Sequence, residues 1–451
     1  MPRSLVLLCV ALMATAVPAR AQLAPDSALA AAISRIKAVD NHSHVVAVVR
    51  PGERPDTEYD ALPVDGMEPF ALPARMSAEN PEFVGAWREL WGYRWTDMSA
   101  AHVAEVAAAR ARVRRERGDD YPAWVLDRLG IETMIGNRIA MGRGLAAPRF
   151  RWASYADALL FPVGTESLRS RNNDARAFFA NEEKLLRRYL AESGVAALPP
   201  TLDEYLGRVV TPTLERQRRG GVLALKFEAA YLRGLDFEPA PAEEATRIYA
   251  RYVAGGEPSV AEDKLLSDYI FRQIAREAGR LGLALHFHTG AGAGAYFDLR
   301  GSSPANLESA VDDPALRATK FVLVHGGWPF TKETALLLGK PNVYADFSYQ
   351  SFMLPPRQLA EVLRTWLELY PEKVLFATDA FEIGGQVGWE EVAWLTTTSA
   401  RRALALALTG MMRDGEVTRA RALEIARLVL HDNAAKLYGL GPVTVGTAPT
   451  P

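Results

Sequence analysis

The sequence predicts an α/β fold, a (β/α)8 TIM barrel with a helical insertion after its first strand, and three observations predict it. Short, nearly continuous apolar runs recur along the 451 residues, as expected of parallel strands buried on both faces. Helical patterns separate most of them, which is the strand-helix alternation of β/α units. Each run ends in a polar or titratable residue, and five of the seven histidines fall at such ends, which a random scatter would not produce.

The chain opens on Arg3, an apolar run Leu5 to Val17 and then Ala19-Arg20-Ala21 before Gln22. This predicts a cleavable export signal over residues 1–21 and a mature protein that is periplasmic or secreted. At 13 residues the run is too short to span a bilayer, and no other stretch is long and apolar enough. Cys9, the one cysteine, lies inside the signal, so the mature chain forms no disulfide and depends on a large core or a bound metal. Losing Arg3 and Arg20 moves the net charge from −2 to −4. A mildly acidic chain without a basic stripe is a poor nucleic-acid binder. The partner expected is a small-molecule substrate, with neither nucleic acid nor membrane, and a homo-oligomer left open.

The body of the protein is expected to be a barrel over residues 22–440, interrupted by the insertion at about 50–129. The first strand, near residue 38, runs into Asp40-Asn41-His42-Ser43-His44. On an extended segment His42 and His44 face the same way, a two-toothed clamp that needs further donors before it holds a divalent ion. From Arg50 to about Asn80, Pro51, Pro55, Pro63, Pro69 and Pro73 break regular structure. Phe83, Trp87, Trp91, Tyr93 and Trp95 follow, as a packed helix or a lid over the barrel mouth. A helix is signalled from Asp97 or Ser99 through Ala111, with Gly118 as its stop and His102 on its surface.

Ile131 to Ile135, ended by Gly136-Asn137, is the second strand, and Phe150 to Tyr155 the third. Helices are expected over about 174–192 and 202–219. Val222 to Phe227 is the fourth strand, and Lys226 is its odd member, because a buried lysine must be paired or chemically altered. A helix over about 261–281 leads to Leu283 to His288, again with histidines two apart, His286 and His288. Strands six, seven and eight end in His325, Asp346 and Asp379. The remainder to Leu440 is helical, and residues 441–451 read as a loose tail.

In a parallel barrel all strand tips point to one mouth. His42, His44, Lys226, His288, His325 and Asp379 would therefore converge. Three neutral imidazoles and a carboxylate suit zinc, with manganese or iron after it. Such an ion activates water near neutral pH. Asp379 is then the proton carrier, and His325 the group that polarises the scissile carbonyl. His42, His44, His288 and Asp379 are the expected metal ligands.

With these residues in order, the chain resembles the amidohydrolase superfamily of metal-dependent hydrolases, over roughly residues 35 to 440. His42-x-His44, Lys226, His288, His325 and Asp379 match its ordered pattern. Leu225-Lys226-Phe227-Glu228 to Leu235, His288-Thr289-Gly290 and His431-Asp432-Asn433 to Tyr438 are similar to its amidohydrolase-related (amidohydrolase 2) subgroup. The resemblance implies a metal-dependent hydrolase acting on an amide, ester or similar C–N or C–O bond. It also implies two rivals on the same barrel: a metal-dependent decarboxylase (a lyase) or isomerase of a carboxylic acid, and a non-catalytic metal-binding protein. Lys226 is either a carbamylated bridge between two ions or a plain lysine beside one, with a slight preference for one. His286 faces the same side as His288, and His288 is favoured because it lies nearer the strand end. Arg233, seven residues past Lys226, is the expected clamp for a substrate carboxylate.

Overall fold

The computed structural model describes residues 24–62, 67–383 and 385–441. The expected export signal at 1–21, and all of the expected tail beyond Gly441, lie outside these residues. Among the described residues no helix is long and apolar enough to cross a membrane.

Eight strands form one sheet in sequence order, every neighbouring pair parallel. They are β1 (Ala38–Ser43), β2 (Ile131–Arg138), β3 (Phe150–Tyr155), β4 (Val222–Phe227), β5 (Ala284–His288), β6 (Lys320–Val324), β7 (Val343–Asp346) and β8 (Val374–Leu375). Beyond Leu375 the chain continues against β1. Asn41 N donates to Phe376 O at 3.0 Å, Asp379 N to His42 O at 2.8 Å and His44 N to Ala380 O at 2.8 Å. The ring thereby closes as a TIM barrel. Asp40 pins the same seam, accepting from Thr378 N at 2.9 Å and Thr378 Oγ1 at 2.5 Å.

Alternation along the strands sorts the side chains. Leu225 and Phe227 on β4, and Leu285 and Phe287 on β5, join the outer core with Phe271, Ile274 and Ala278 of the helix Val260–Leu281. Phe227, Phe287 and Phe321 stack in a row, with centroids 5.2 and 5.9 Å apart. Lys226, His286 and His288 occupy the intervening positions, and Lys226 is in register with His286. Near its base the barrel is filled by Val39, Ile135, Ala153, Ala224 and Val322, packed against Ala434, Leu437 and Tyr438 of the helix Asn433–Tyr438.

The insertion contributes the helices Phe83–Trp91, Ala100–Arg117 and Tyr121–Leu129, with Gly118 in the left-handed region where a stop is expected. Its aromatics make a core of their own with the helix Trp389–Arg413. Trp91 Nε1 donates to Glu391 at 2.9 Å, and Trp91 stacks on Tyr121. The second expected helix near residue 202 is three pieces, Leu202–Tyr205, a wider turn Leu206–Val210 and Thr211–Arg219. Pro212 explains the break, because a proline lacks the N–H that continues a helix.

Candidate metal centre and cavity

The strand tips deliver His42, His44, His288, His325 and Asp379 to one end of the barrel. His42, His325 and Asp379 offer ligand atoms that all lie within 4.8 Å of one another, and all three residues are buried. His42 Nε2 stands 3.0 Å from Asp379 Oδ1, and His44 Nε2 stands 3.5 Å from the same oxygen. His288 Nδ1 faces His325 Nε2 at 3.1 Å. His288 Nε2–H donates to Ala291 O at 3.2 Å, so the Nδ1 that meets His325 carries a lone pair.

Local sequence explains why two tips are so placed. His325 and Asp379 adopt φ of 66° and 53°, the left-handed region that non-glycine residues rarely occupy and that collects at functional sites. Gly326 follows His325 at φ 54°, and a Cβ there would sit 2.2 Å from Trp366 and 2.7 Å from Asp346 O. Only glycine lets the chain turn this tightly against β7. Thr289 then clamps β5 to β6, donating from Oγ1 to Val324 O at 2.7 Å and accepting from Gly327 N at 2.9 Å.

Burial drives the electrostatics; with the Lys226 cation it holds His42 and His288 well below the usual imidazole range and brings His44 down to about 4, and burial, then His288, then Lys226 hold His325 well below it. The rings are therefore neutral at physiological pH, the state that ligates metal. Burial pushes Asp379 up to about 8, against the Lys226 cation. Metal binding must displace that proton. Zinc affinity is accordingly expected to rise about tenfold per pH unit between pH 6 and 8, the imidazoles being neutral throughout. Competition titrations with a chelating dye across that range measure it, and a flat profile refutes Asp379 as the proton-bearing ligand.

His42 Nε2 is fully buried and has no hydrogen-bond partner. The Asn137 amide lies 2.7 Å from His42 Nδ1, and its own oxygen is also without a partner. With the amide turned so that the oxygen accepts from Nδ1–H, the oxygen gains its partner and the Nε2 lone pair points into the cluster. An orphaned imidazole lone pair beside a carboxylate and two further neutral imidazoles fits a divalent cation.

The tips open into a cavity of about 680 Å³. His44, Glu228, His288, His325 and Asp379 line its floor, and Leu62, Met67, Phe178, Tyr231, Phe381 and Ile383 are among its apolar walls. Lys226 lies beneath the floor, fully buried, with Nζ 3.3 Å from Glu228 Oε1. Glu228 Oε2 in turn faces His288 Nδ1 at 3.7 Å. Of the two fifth-strand histidines, His288 reaches the cavity. His286 is a layer deeper and bonds Tyr438 OH at 2.7 Å.

The expected clamp Arg233 does not reach this cavity. Its guanidinium donates to Asp268 Oδ1 at 2.6 Å and Ser267 Oγ at 2.5 Å and lies over the Phe237 ring at 4.5 Å, beside a separate space of about 110 Å³. A cation already paired with a buried carboxylate has no fork free for substrate. Three residues at the site were not singled out from sequence. Glu228 belongs to a mouth loop, Asp60 to the proline-rich stretch, and Asn137 reads locally as a strand stop. Only Glu228 carried a signal, standing two residues past a buried lysine that needs a counter-ion.

A model of the amidohydrolase family matches residues 177–440. Protein fluG of Emericella nidulans is 30% identical over 232 residues, covering 49% of this chain and 26% of that protein, so the match spans about a quarter of the curated relative. Among solved structures, glucuronate isomerase from Caulobacter crescentus superimposes with a TM-score of 0.62 at 15% identity, over 95% of this chain and 98% of that one. Uronate isomerase from Thermotoga maritima gives 0.56 at 12% identity, over 92% and 98%. At such identities the likeness is one of fold.

Proposed function

The chain belongs to the amidohydrolase family, and we propose that it is a zinc-dependent hydrolase of an amide, ester or similar C–N or C–O bond in a small molecule. The observation that carries this reading is the buried His42, His325 and Asp379 group, with its orphaned Nε2, two of whose members, His325 and Asp379, line the floor of a substrate-sized cavity.

In this reading His42, His44 and Asp379 hold the ion, and the His288–His325 pair supplies a further imidazole. The member of that pair not bound to the ion polarises the scissile carbonyl. When bound, the ion supplies Lewis-acid chemistry and water activation near neutral pH. Asp379, whose proton affinity burial has raised, accepts a proton from the attacking water and returns it to the leaving group. Lys226 acts from beneath: its ammonium pairs with Glu228, 3.3 Å away, and so holds that carboxylate at the cavity floor. A carbamate on Lys226 would set a second anion against Glu228, so the pairing favours a single ion and a plain lysine. The apolar walls suit a substrate with an apolar body beyond the reacting bond. The signal-like residues 1–21 support a periplasmic or secreted location.

Elemental analysis of gently purified protein, with a mass measurement on the Lys226 peptide, is expected to give one zinc per chain and an unmodified lysine. Turnover of a hit from an amide and ester panel in ¹⁸O-water is expected to place the label in the product acid. Metal-free protein with full activity overturns the reading, and so does carbon dioxide release without label, which is the lyase outcome.

A further inference from the structure

Hydrolysis at a carbonyl places negative charge on its oxygen in the transition state, and hydrogen-bond donors fixed beside that oxygen stabilise it. The cavity floor is short of such donors. His44, His288, His325, Glu228 and Asp379 line it, and the protein's own contacts engage the imidazole pair. Ser348 Oγ at 2.7 Å and Tyr349 N at 3.3 Å meet His325 Nδ1, His288 Nδ1 meets its Nε2 at 3.1 Å, and His288 Nε2 meets Ala291 O at 3.2 Å. An imidazole released from that pair supplies one donor, whereas a developing oxyanion accepts more than one.

Two tyrosines flank the pair, and both line the cavity. Tyr231 packs against His288 with ring centroids 4.7 Å apart, and Tyr349 against His325 at 5.6 Å. Tyr231 OH already accepts from Ala293 N at 3.2 Å. The Tyr349 hydroxyl has no hydrogen-bond partner among the described residues. Burial, then the Asp379 carboxylate, push it up to about 12, so Tyr349 lies within electrostatic reach of the metal cluster and is a donor rather than an anion. Its backbone is held. Tyr349 belongs to the short helix Ser348–Met353 just past the tip of β7. Ser348 bonds Asp346 Oδ1 through N at 3.1 Å and Oγ at 2.7 Å, Gln350 Nε2 donates to His325 O at 2.8 Å, and Arg75 Nη1 donates to Phe352 O at 2.9 Å. A donor fixed on both sides in this way loses little entropy on engaging a substrate.

We propose that Tyr349 is a catalytic residue: its hydroxyl donates a hydrogen bond to the oxygen of the scissile carbonyl, beside the imidazole released from the His288–His325 pair. As the water oxygen bonds to the carbonyl carbon, the π pair moves onto the carbonyl oxygen, and Tyr349 holds that charge while keeping its own proton. When the C–N or C–O bond breaks, the pair returns to the carbonyl and Tyr349 is unchanged. The role needs the hydroxyl and not the ring. It acts on kcat more than on KM, because the charge it meets exists only around the transition state. This deepens the hydrolase reading and rests on it.

The test compares Tyr349→Phe, which removes one oxygen and keeps the ring, with the wild type, both as full-length zinc-loaded protein. On a hit from the amide and ester panel, kcat is expected to fall about a hundredfold while KM changes by less than about threefold, with zinc content and Tm unchanged. Isothermal titration with methylphosphonate, a tetrahedral anion resembling the hydrolytic intermediate, reads the same contact without turnover. Its Kd is expected to rise about tenfold in Tyr349→Phe. Ser351→Ala removes the bond from Ser351 Oγ to Ser348 O (2.6 Å) inside the same helix. It should lower Tm and leave kcat and the methylphosphonate Kd as they were. An unchanged kcat or an unchanged Kd in Tyr349→Phe overturns the proposal, as does a rise in KM alone, a loss of zinc or an equal change in Ser351→Ala. A wild type that binds no methylphosphonate overturns it too. A chain that hydrolyses no panel member sinks the hydrolase reading and this proposal with it, whereas a chain that hydrolyses and is indifferent to Tyr349→Phe sinks this proposal alone.

Discussion

Asp379→Asn is expected to lower kcat about a thousandfold while the protein folds normally. The substitution changes one oxygen for an NH2 in a residue held at φ 53°, and asparagine tolerates that backbone better than any other non-glycine residue. What is lost is chemical: the anion beside His42 and His44, and the group that carries the proton. Zinc content should fall with activity, because asparagine is a weak ligand. Stability moves the other way. Burial raises the folded carboxyl to about 8, so the metal-free folded state keeps a proton that the unfolded chain releases near pH 4. This stability is fully present below the unfolded pKa and is lost as pH rises toward 8. Asp379→Asn lacks that slope. Metal-free melting curves should therefore show the variant gaining on the wild type as pH increases. A variant that keeps a tenth or more of wild-type kcat at full zinc loading would remove Asp379 from the proton-transfer role.

The barrel was legible because its signal is local and repeated. A buried parallel strand has to be apolar on both faces, and each short run ends where its functional residue begins. The order of the candidate site residues along the chain could be read too, since in-order parallel strands send every tip to the same mouth. His288 over His286 followed from position along a strand. The period-two alternation alone leaves both on the inner face, and only depth separates them, one meeting His325 and the other Tyr438. Arg233 shows where such reasoning stops. A loop arginine near a cavity has the same local sequence whichever way it turns, and its partner Asp268 stands 35 residues later on a helix. Asn137 was read by its turn propensity, whereas its role depends on the register that sets β2 beside β1. The hydrogen bond from Tyr438 to Asn41 joins residues 397 positions apart, and no periodicity in either segment announces it.

Asp56→Ala should be strongly destabilising although it lies outside the metal centre. Arg138, at the end of β2, is fully buried, and its guanidinium takes both oxygens of Asp56 at 2.9 Å as well as Val45 O at 2.7 Å and Ala140 O at 2.8 Å. Asp56 also accepts from Ala47 N at 2.7 Å and Glu58 N at 3.1 Å. One carboxylate thus organises the stretch that brings Tyr59, Asp60 and Leu62 to the cavity wall. Burial pushes its carboxyl up, but the bonds from Arg138 outweigh this and hold it below the usual range. That contribution is present above the unfolded pKa and is lost as pH falls through the folded one. Removing the carboxylate strands a buried cation, which costs about 3–5 kcal/mol, or roughly 5 °C in Tm for a chain of this size. KM should rise as the wall loosens, and kcat should change less, because His42 and Asp379 are held by the β1–β8 seam. The double variant Asp56→Ala/Arg138→Met discriminates the cause. If the stranded charge is what destabilises, the double variant melts above Asp56→Ala; if the lost wall contacts are, it melts at or below it.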